Sequence, residues 1–356
     1  MKSIVNKIKL LSQKTPLGWF KYFSRKYQFS LPSKMGKKRV FLFLTPTHKN
    51  LGDQAITIAE LFYLKQVLPA YQVIEIPDIN YAKGIKLVSK VLTDQDIIMV
   101  HGGGNLGTLY PTAEKQRRLL MKNFSRNKII IFPQSAFFGK DSEELSESKK
   151  IYSSNSNLTL MARESLTRDF LAKAFPKNKL LFTPDIVFFL NKKLKFKKTK
   201  RFGILIILRQ DKEKSVPETY INSLLKQLKS EYQITISDTV INKDIVIDKQ
   251  NREQYVKNKL NQFAAHQLVI TDRLHGMLFS LLTKTPCIVF NNNNGKVKFT
   301  YLNWMSDLNY IKLMGTDNFD QVLQEIRKLL QVKPITKDFD QNFNELTDYL
   351  KSLEDS

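Results

Sequence analysis

Cysteine is almost absent. The 356-residue chain holds one, Cys287, inside the apolar run Cys287-Ile288-Val289-Phe290. A lone thiol there reads as a small core residue; it forms no disulfide within the chain and fits a reducing compartment. No Cys/His cluster has zinc-ligand spacing, so no metal is expected. No apolar run reaches the roughly 20 residues that a membrane-spanning helix needs. A secretory leader is excluded because Lys7, Lys9 and Lys14 interrupt any apolar core near the start. These absences point to a cytoplasmic protein.

Acidic residues are missing from the start of the chain as well, where the first is Asp53. Lys2, Lys7, Lys9, Lys14, Lys21, Arg25, Lys26, Lys34, Lys37, Lys38, Arg39 and Lys49 precede it, interleaved with Trp19, Phe20, Tyr22 and Phe23. Over residues 1–38 this makes a basic amphipathic segment. It can lie in the headgroup plane of an anionic membrane, each cation adding about 1 kcal/mol, or pack on the protein's own surface. The whole chain carries 57 Lys+Arg against 33 Asp+Glu, a net charge of +24. That field favours anionic partners, although a lysine-rich composition alone also produces it. Hydrophobic residues make up 42%, enough for packed cores and against global disorder.

Apolar runs bounded by turn residues predict strands at 39–45, 72–76, 96–100, 128–132 and 158–162, with helices at 113–124 and 164–174. After the loop 46–52, Asp53 is expected to cap a helix through Ile56, Ala59, Phe62 and Leu64. The charged, aperiodic stretch 191–202 marks a boundary. A second series follows, with strands at 203–208, 232–237, 267–271, 286–290 and 309–313 and helices at 217–230, 251–265, 274–283 and 317–332. The alternation predicts an α/β protein of two Rossmann-like domains, 39–190 and 203–335, facing across a cleft, followed by a C-terminal helix in 338–356.

Polar residues at the carboxyl ends of these strands carry the functional signal, because ligands of open α/β sheets bind there. Thr271-Asp272-Arg273-Leu274-His275-Gly276 puts an acid, a guanidinium and an imidazole between two apolar segments. Such groups are costly there unless something pairs with them. The turn reads as an anion-binding corner or as a buried Asp–Arg pair at a helix start. Arg163 and Arg209 end two further apolar strands. Guanidinium suits bidentate recognition of phosphate and carboxylate, and one multiply charged anion between the domains would gather all three.

His101-Gly102-Gly103-Gly104-Asn105-Leu106-Gly107 follows another strand. Consecutive glycines let the backbone approach a ligand and aim N–H groups at an anion. Dinucleotide binding is rejected because the next strand ends in Phe132-Pro133-Gln134, with no ribose-binding acid. An esterase is rejected because no G-x-S-x-G elbow exists, and no Walker A loop is present. A phosphate, carboxylate or sugar contact remains, beside a plain tight turn. Asn291 to Lys296 form an Asn/Gly loop suited to a sugar or phosphate, or simply a turn.

The ordered set Asn50-Leu51-Gly52-Asp53-Gln54-Ala55, His101 to Gly107, Ala162-Arg163-Glu164-Ser165, Leu208-Arg209, Thr271 to Gly276 and Lys296 resembles the polysaccharide pyruvyl transferase family over about residues 39–313. The resemblance implies a GT-B-like fold, phosphoenolpyruvate as donor, and a surface-polysaccharide hexose as acceptor. It implies a pyruvate ketal as product and no cofactor. It places Arg273, Leu274 and His275 at the donor, with Arg163 as a second donor-binding arginine.

The chemistry implied needs a general acid, for which His275 is the candidate because nearby anions would hold it protonated. Asp53 and Glu164 are candidate bases, and Asp272 a candidate orienter of Arg273 or His275. Arg209, Gly102, Gly103, Gly104, Asn105, Asn291 and Lys296 complete the expected substrate contacts. The acceptor is expected to be a saccharide, on a lipid diphosphate where the basic segment reaches an anionic membrane. Two other classes compete: a GT-B sugar-nucleotide glycosyltransferase, and a non-enzymatic nucleic-acid binder. No zinc finger, RRM signature or helix-turn-helix supports the last, and specific nucleic-acid binding is not expected.

Overall fold

The computed structural model describes residues 29–194, 196, 200–211, 213–242 and 245–354. Residues 1–28 of the basic N-terminal segment therefore lie outside the described residues.

Uninterrupted apolar runs suit parallel strands buried on both faces. β1 Lys38–Thr45, β2 Tyr71–Pro77, β3 Ile97–Val100, β4 Gly103–Gly107, β5 Lys128–Ile131, β6 Gln134–Phe137, β7 Leu158–Ala162 and β8 Lys179–Phe182 form a first sheet. Its order is β2-β1-β3-β5-β7-β6-β4, with β8 also pairing β7, and every pair is parallel. β9 Ile204–Ile207, β10 Ile234–Ile236, β11 Leu268–Thr271, β12 Cys287–Phe290 and β13 Ile311–Met314 form a second parallel sheet, ordered β10-β9-β11-β12-β13. Helices connect the strands in both, giving two Rossmann-like α/β units of GT-B type.

Three local expectations need correction. The glycine run after β3 is not a free turn, because Gly103–Gly107 is itself strand β4 on β6. Glycine is required there, since Gly103 and Gly107 have φ of +123° and +109°, and a Cβ on Gly107 would stand 2.2 Å from Phe137 O. Pro133 hides β6 by separating it from β5. The helix Leu51–Val67 is capped by Asn50, whose side chain accepts from Gly52 N at 3.0 Å; Asp53 sits inside its first turn. The C-terminal helix is shorter than expected, with a 3-10 turn at Asp340–Phe343 leading into Asn344–Ser352.

The units share one apolar core. The helix Leu51–Val67, the 3-10 turn Ile186–Leu190 and the helices Arg252–Ala264 and Leu274–Thr283 all contribute to it. The C-terminal segment crosses back to the first unit and buries Phe339, Phe343, Leu346 and Leu350 in that core. Tyr63 Oη meets Thr347 Oγ1 at 2.7 Å, and Thr159 Oγ1 meets Tyr349 Oη at 2.6 Å. The faces are thus held together, and the carboxyl ends of their strands open on a common space. Among the described residues no helix is long and apolar enough to cross a membrane.

Candidate active site between the two sheets

The space is a cavity of about 900 Å³. Its lining comes from strand ends of both units: Asp53 and His48 after β1, His101 after β3, Gly104 and Asn105 on β4, and Arg163 after β7. The second unit contributes Arg209 after β9, Arg273, Leu274 and His275 after β11, and Lys296 after β12. The three arginines therefore face one opening, with Lys296 beside them.

Each cation is held by an acid. Arg163, 1% exposed, donates from Nη1 to Asp185 Oδ2 at 2.6 Å and from Nε to Ser135 Oγ at 2.8 Å. Arg209 Nε donates to Asp211 Oδ1 at 2.8 Å, and its Nη2 lies 3.2 Å from Glu213 Oε2. Arg273 is paired with Asp238 at 2.6 and 2.7 Å. Lys296 Nζ donates to Glu213 Oε2 at 2.6 Å. Burial favours the neutral amine of Lys296 more than Glu213 restores the charge, so its pKa lies below the usual lysine range. The opposite balance holds at Arg209, where burial is outweighed by Asp211, Glu213 and Asp272. A fixed set of paired cations suits an anion with several charged oxygens, which can take over the donors that the acids hold.

Glycine shapes this end of the cavity. A Cβ on Gly104 would lie 2.9 Å from Arg163 Nη2 and 3.5 Å from Lys296 Nζ, so the bare α-carbon makes room for both cations. Gly102 and Gly103 play a different part from the one expected. Gly102 N donates to Glu60 Oε1 at 2.7 Å and Gly103 N to Pro133 O at 3.0 Å, leaving neither N–H for an anion.

His275 Nε2 is 3.7 Å from Asp185 Oδ2 and has no hydrogen-bond partner. The nearby anions expected to keep this imidazole protonated are Asp185 and Asp53. Burial lowers its pKa, and Asp185 and Asp53 offset that only in part. Asp53 accepts from Asn50 Nδ2 at 2.8 Å. Burial works to raise its pKa, but His48, His275, His101 and Arg163 together hold it below the usual carboxylate range.

Three other expected residues are placed differently. Glu164 is buried off the cavity, accepting from Ser135 Oγ at 2.8 Å and from Thr167 Oγ1, and burial raises its pKa. Its carboxylate backs Arg163 Nε at 3.7 Å, because the chain turns the side chain inward at the start of the helix Ser165–Ala174. Asn291 does not line the cavity; its Oδ1 accepts from Lys298 N at 3.1 Å. Asp272 is electrostatically coupled to Arg273, but its hydrogen bond goes elsewhere. Its Oδ1 accepts from Arg209 N at 2.8 Å, tying the end of β11 to that of β9.

Sequence reasoning missed the acids. Asp185 follows β8 in Thr183-Pro184-Asp185, so the strand-end rule that picked the arginines would have found it. Glu213 joins Lys296, Arg209 and Asn292, and its Oε1 accepts from Tyr110 Oη of the first unit at 3.2 Å. No local pattern announces that junction.

The chain is similar to known proteins in sequence and in fold. The sequence model for "Polysaccharide pyruvyl transferase" matches residues 50–294. General stress protein 30 of Bacillus subtilis is 39% identical over 319 residues, covering 89% of this chain and 92% of that protein. Pyruvyl transferase 1 of Schizosaccharomyces pombe is 30% identical over 284 residues, covering 76% and 70%. Among solved structures, a candidate UDP-N-acetylglucosamine 2-epimerase of Listeria monocytogenes superposes with a TM-score of 0.52 at 11% identity, covering 90% of this chain and 98% of that one. At that identity the likeness concerns the fold alone.

Proposed function

The chain belongs to the polysaccharide pyruvyl transferase family, and from that premise we propose that it moves the pyruvyl group of phosphoenolpyruvate onto a hexose of a surface polysaccharide, forming a pyruvate ketal. The observation that carries this reading is the meeting of Arg163, Arg209, Arg273 and Lys296 at one cavity. Phosphoenolpyruvate presents a carboxylate and a phosphate three bonds apart, a charge distribution that several fixed cations match.

In this reading His275 gives a proton to C3 of the donor. Burial makes the free imidazole a poor base, but a bound polyanion beside it raises its proton affinity and supplies the protonated acid. Protonation at C3 makes C2 electrophilic, and a sugar hydroxyl oxygen bonds to C2. Phosphate leaves with the electron pair of its C–O bond, and a second hydroxyl closes the ketal. Asp53, anionic and next to His275, stabilises the cationic centre at C2. The wall around Asp78, Tyr81, Tyr110 and Gln116 offers polar groups beside aromatic faces, a composition suited to the acceptor sugar.

We place the acceptor on a lipid diphosphate, with the basic segment 1–38 at the membrane surface. Vesicles containing anionic lipid should retain the full chain and lose it when residues 1–38 are deleted.

The decisive assay incubates the protein with phosphoenolpyruvate and candidate lipid-linked saccharides, following phosphate release and a pyruvyl mass increment. Arg273→Ala and His275→Ala should abolish turnover while both proteins still melt cooperatively. Full activity in both would sink the site assignment. Thermal stabilisation by sugar nucleotides and not by phosphoenolpyruvate would point to glycosyl transfer instead.

A further inference from the structure

Of the four histidines, two have a cavity-lining ring with a buried Nε2 that meets no hydrogen-bond partner: His275 and His101. His266 has both ring nitrogens occupied, by Gln262 O and Thr235 Oγ1, and His48 is half-exposed on the rim. His275 has a role in the reading above. His101 has none.

His101 is 5% exposed, and its Nδ1 lies 2.8 Å from Glu60 Oε2. Glu60 is fully buried in the helix Leu51–Val67, and its other oxygen accepts from Gly102 N at 2.7 Å. A carboxylate at a fully buried helical position is costly unless a partner compensates it. Among the described residues the side-chain oxygens of Glu60 meet the imidazole of His101 and the N–H of Gly102. In the neutral ring a carboxylate acceptor at Nδ1 calls for the proton there, and Nε2 is then the acceptor nitrogen. A buried carboxylate that orients an imidazole and stabilises its cation is the recurrent construction of a general base. Asp53 is electrostatically coupled to both His101 and His275.

We propose that His101 is a second catalytic residue, the base that takes protons from the acceptor hydroxyls, and that Glu60 is its positioning residue. This rests on the pyruvyl-transfer reading. Ketal formation bonds two hydroxyl oxygens to C2, so two hydroxyl protons must leave. As the first oxygen bonds to C2, its proton passes to His101 Nε2 while C3 receives one from His275. The C2–phosphate oxygen bond then breaks with its electron pair on phosphate, which carries off the proton from Nε2. The second hydroxyl oxygen bonds to C2 and returns its proton through Nε2 to the acid. One hydroxyl proton thus ends on the methyl carbon and the other on phosphate, and two histidines divide donation from acceptance.

The test compares wild type, His101→Asn and Glu60→Gln in phosphate release from phosphoenolpyruvate plus acceptor across pH 5.5–9. Binding of phosphoenolpyruvate alone is measured by thermal shift. His101→Asn keeps a group toward Glu60 and removes Nε2. It should lower kcat by about 10²–10⁴-fold, with donor affinity within about threefold of wild type. Glu60→Gln no longer stabilises the imidazolium, so it should keep measurable turnover while the acidic limb of the kcat/KM profile moves to lower pH. A merely structural contact would not move that limb. Folded His101→Asn protein within threefold of wild-type kcat, or a Glu60→Gln profile unshifted in pH, overturns the proposal. Wild type that releases no phosphate with any acceptor defeats the pyruvyl-transfer reading itself, an outcome separable from variant behaviour.

Discussion

A Cβ built on Gly52 would stand 2.2 Å from His275 Nδ1 and 2.8 Å from His275 Cβ, so the imidazole rests directly on a bare α-carbon across the two units. The first turn of the helix Leu51–Val67 thereby fixes where His275 can be. The contact reaches the root of the side chain, so a rotamer change cannot relieve it.

Gly52→Ala should therefore act on chemistry more than on folding. Overpacking of this kind typically costs about 1–3 kcal/mol. Misplacing a reacting group by about 1 Å can cost roughly 10²-fold in rate. The expected outcome is a kcat lower by about two orders of magnitude with a modest fall in melting temperature. A variant with wild-type kcat would show that His275 does not need its present position.

Gly104→Ala should split the parameters the other way. The new methyl would press on Arg163 Nη2 and approach Lys296 Nζ, the cations of the donor end. KM for phosphoenolpyruvate should rise about tenfold or more, with kcat less affected. Inorganic phosphate should also stabilise the variant less in a thermal-shift titration.

The buried imidazole gives a pH signature whose sign can be worked out. In the unfolded chain histidine titrates near pH 6.5, and burial lowers the folded value of His275. Above pH 6.5 neither state holds the proton. As pH falls below that value the unfolded chain takes it up first, so stability is lost on acidification until the folded pKa is reached. The loss is at most about 1.4 kcal/mol per pH unit for this group. Between pH 8 and 5.5 the unliganded wild type should lose more melting temperature than His275→Asn. Saturating phosphate should narrow the difference, because a nearby anion raises the pKa of His275.

How much of this was legible in the sequence follows from where the information resides. The strands Lys38–Thr45, Leu158–Ala162 and Leu268–Thr271 are mostly apolar and buried on both faces, and that pattern is local. Arg163, Arg209 and Arg273 were readable for the same reason, since each ends such a run. β4 and β6 were not, because glycines and Pro133 mask strand pairing as turn chemistry. The partners of the cations were also hidden. Glu164 is adjacent to Arg163 in sequence yet points inward, while Asp185 arrives from 22 residues on. Ion pairing at this site is a tertiary property, and adjacency misleads about it.

The C-terminal helix offers a stability test apart from the chemistry. Phe339, Phe343, Leu346 and Leu350 are almost completely buried against the first unit. Each buried side chain of this size is worth about 1.5–3 kcal/mol, so together they rival the whole stability of an ordinary domain. Truncation after residue 337 should yield protein that fails to fold, read as loss of a cooperative melt. Leu346→Ala should cost about 2–5 kcal/mol and leave kcat nearly unchanged.

Glu213 supports the sharpest prediction about the cavity. Its carboxylate meets Lys296 Nζ at 2.6 Å and Arg209 Nη2 at 3.2 Å, with Tyr110 Oη 3.2 Å from its other oxygen. Burial pushes the Glu213 pKa up, but Lys296 and Arg209 outweigh that and hold it below the usual range. Removing the charge leaves two largely buried cations short of a partner, a change that typically costs about 3–5 kcal/mol. The same removal deletes the group that an incoming anion must displace. Glu213→Gln should therefore melt well below wild type in phosphate-free buffer. Added phosphate or phosphoenolpyruvate should restore most of the deficit, giving a larger thermal shift than in wild type at equal ligand concentration. If phosphate stabilised both proteins equally, Lys296 and Arg209 would not be the groups that receive the anion.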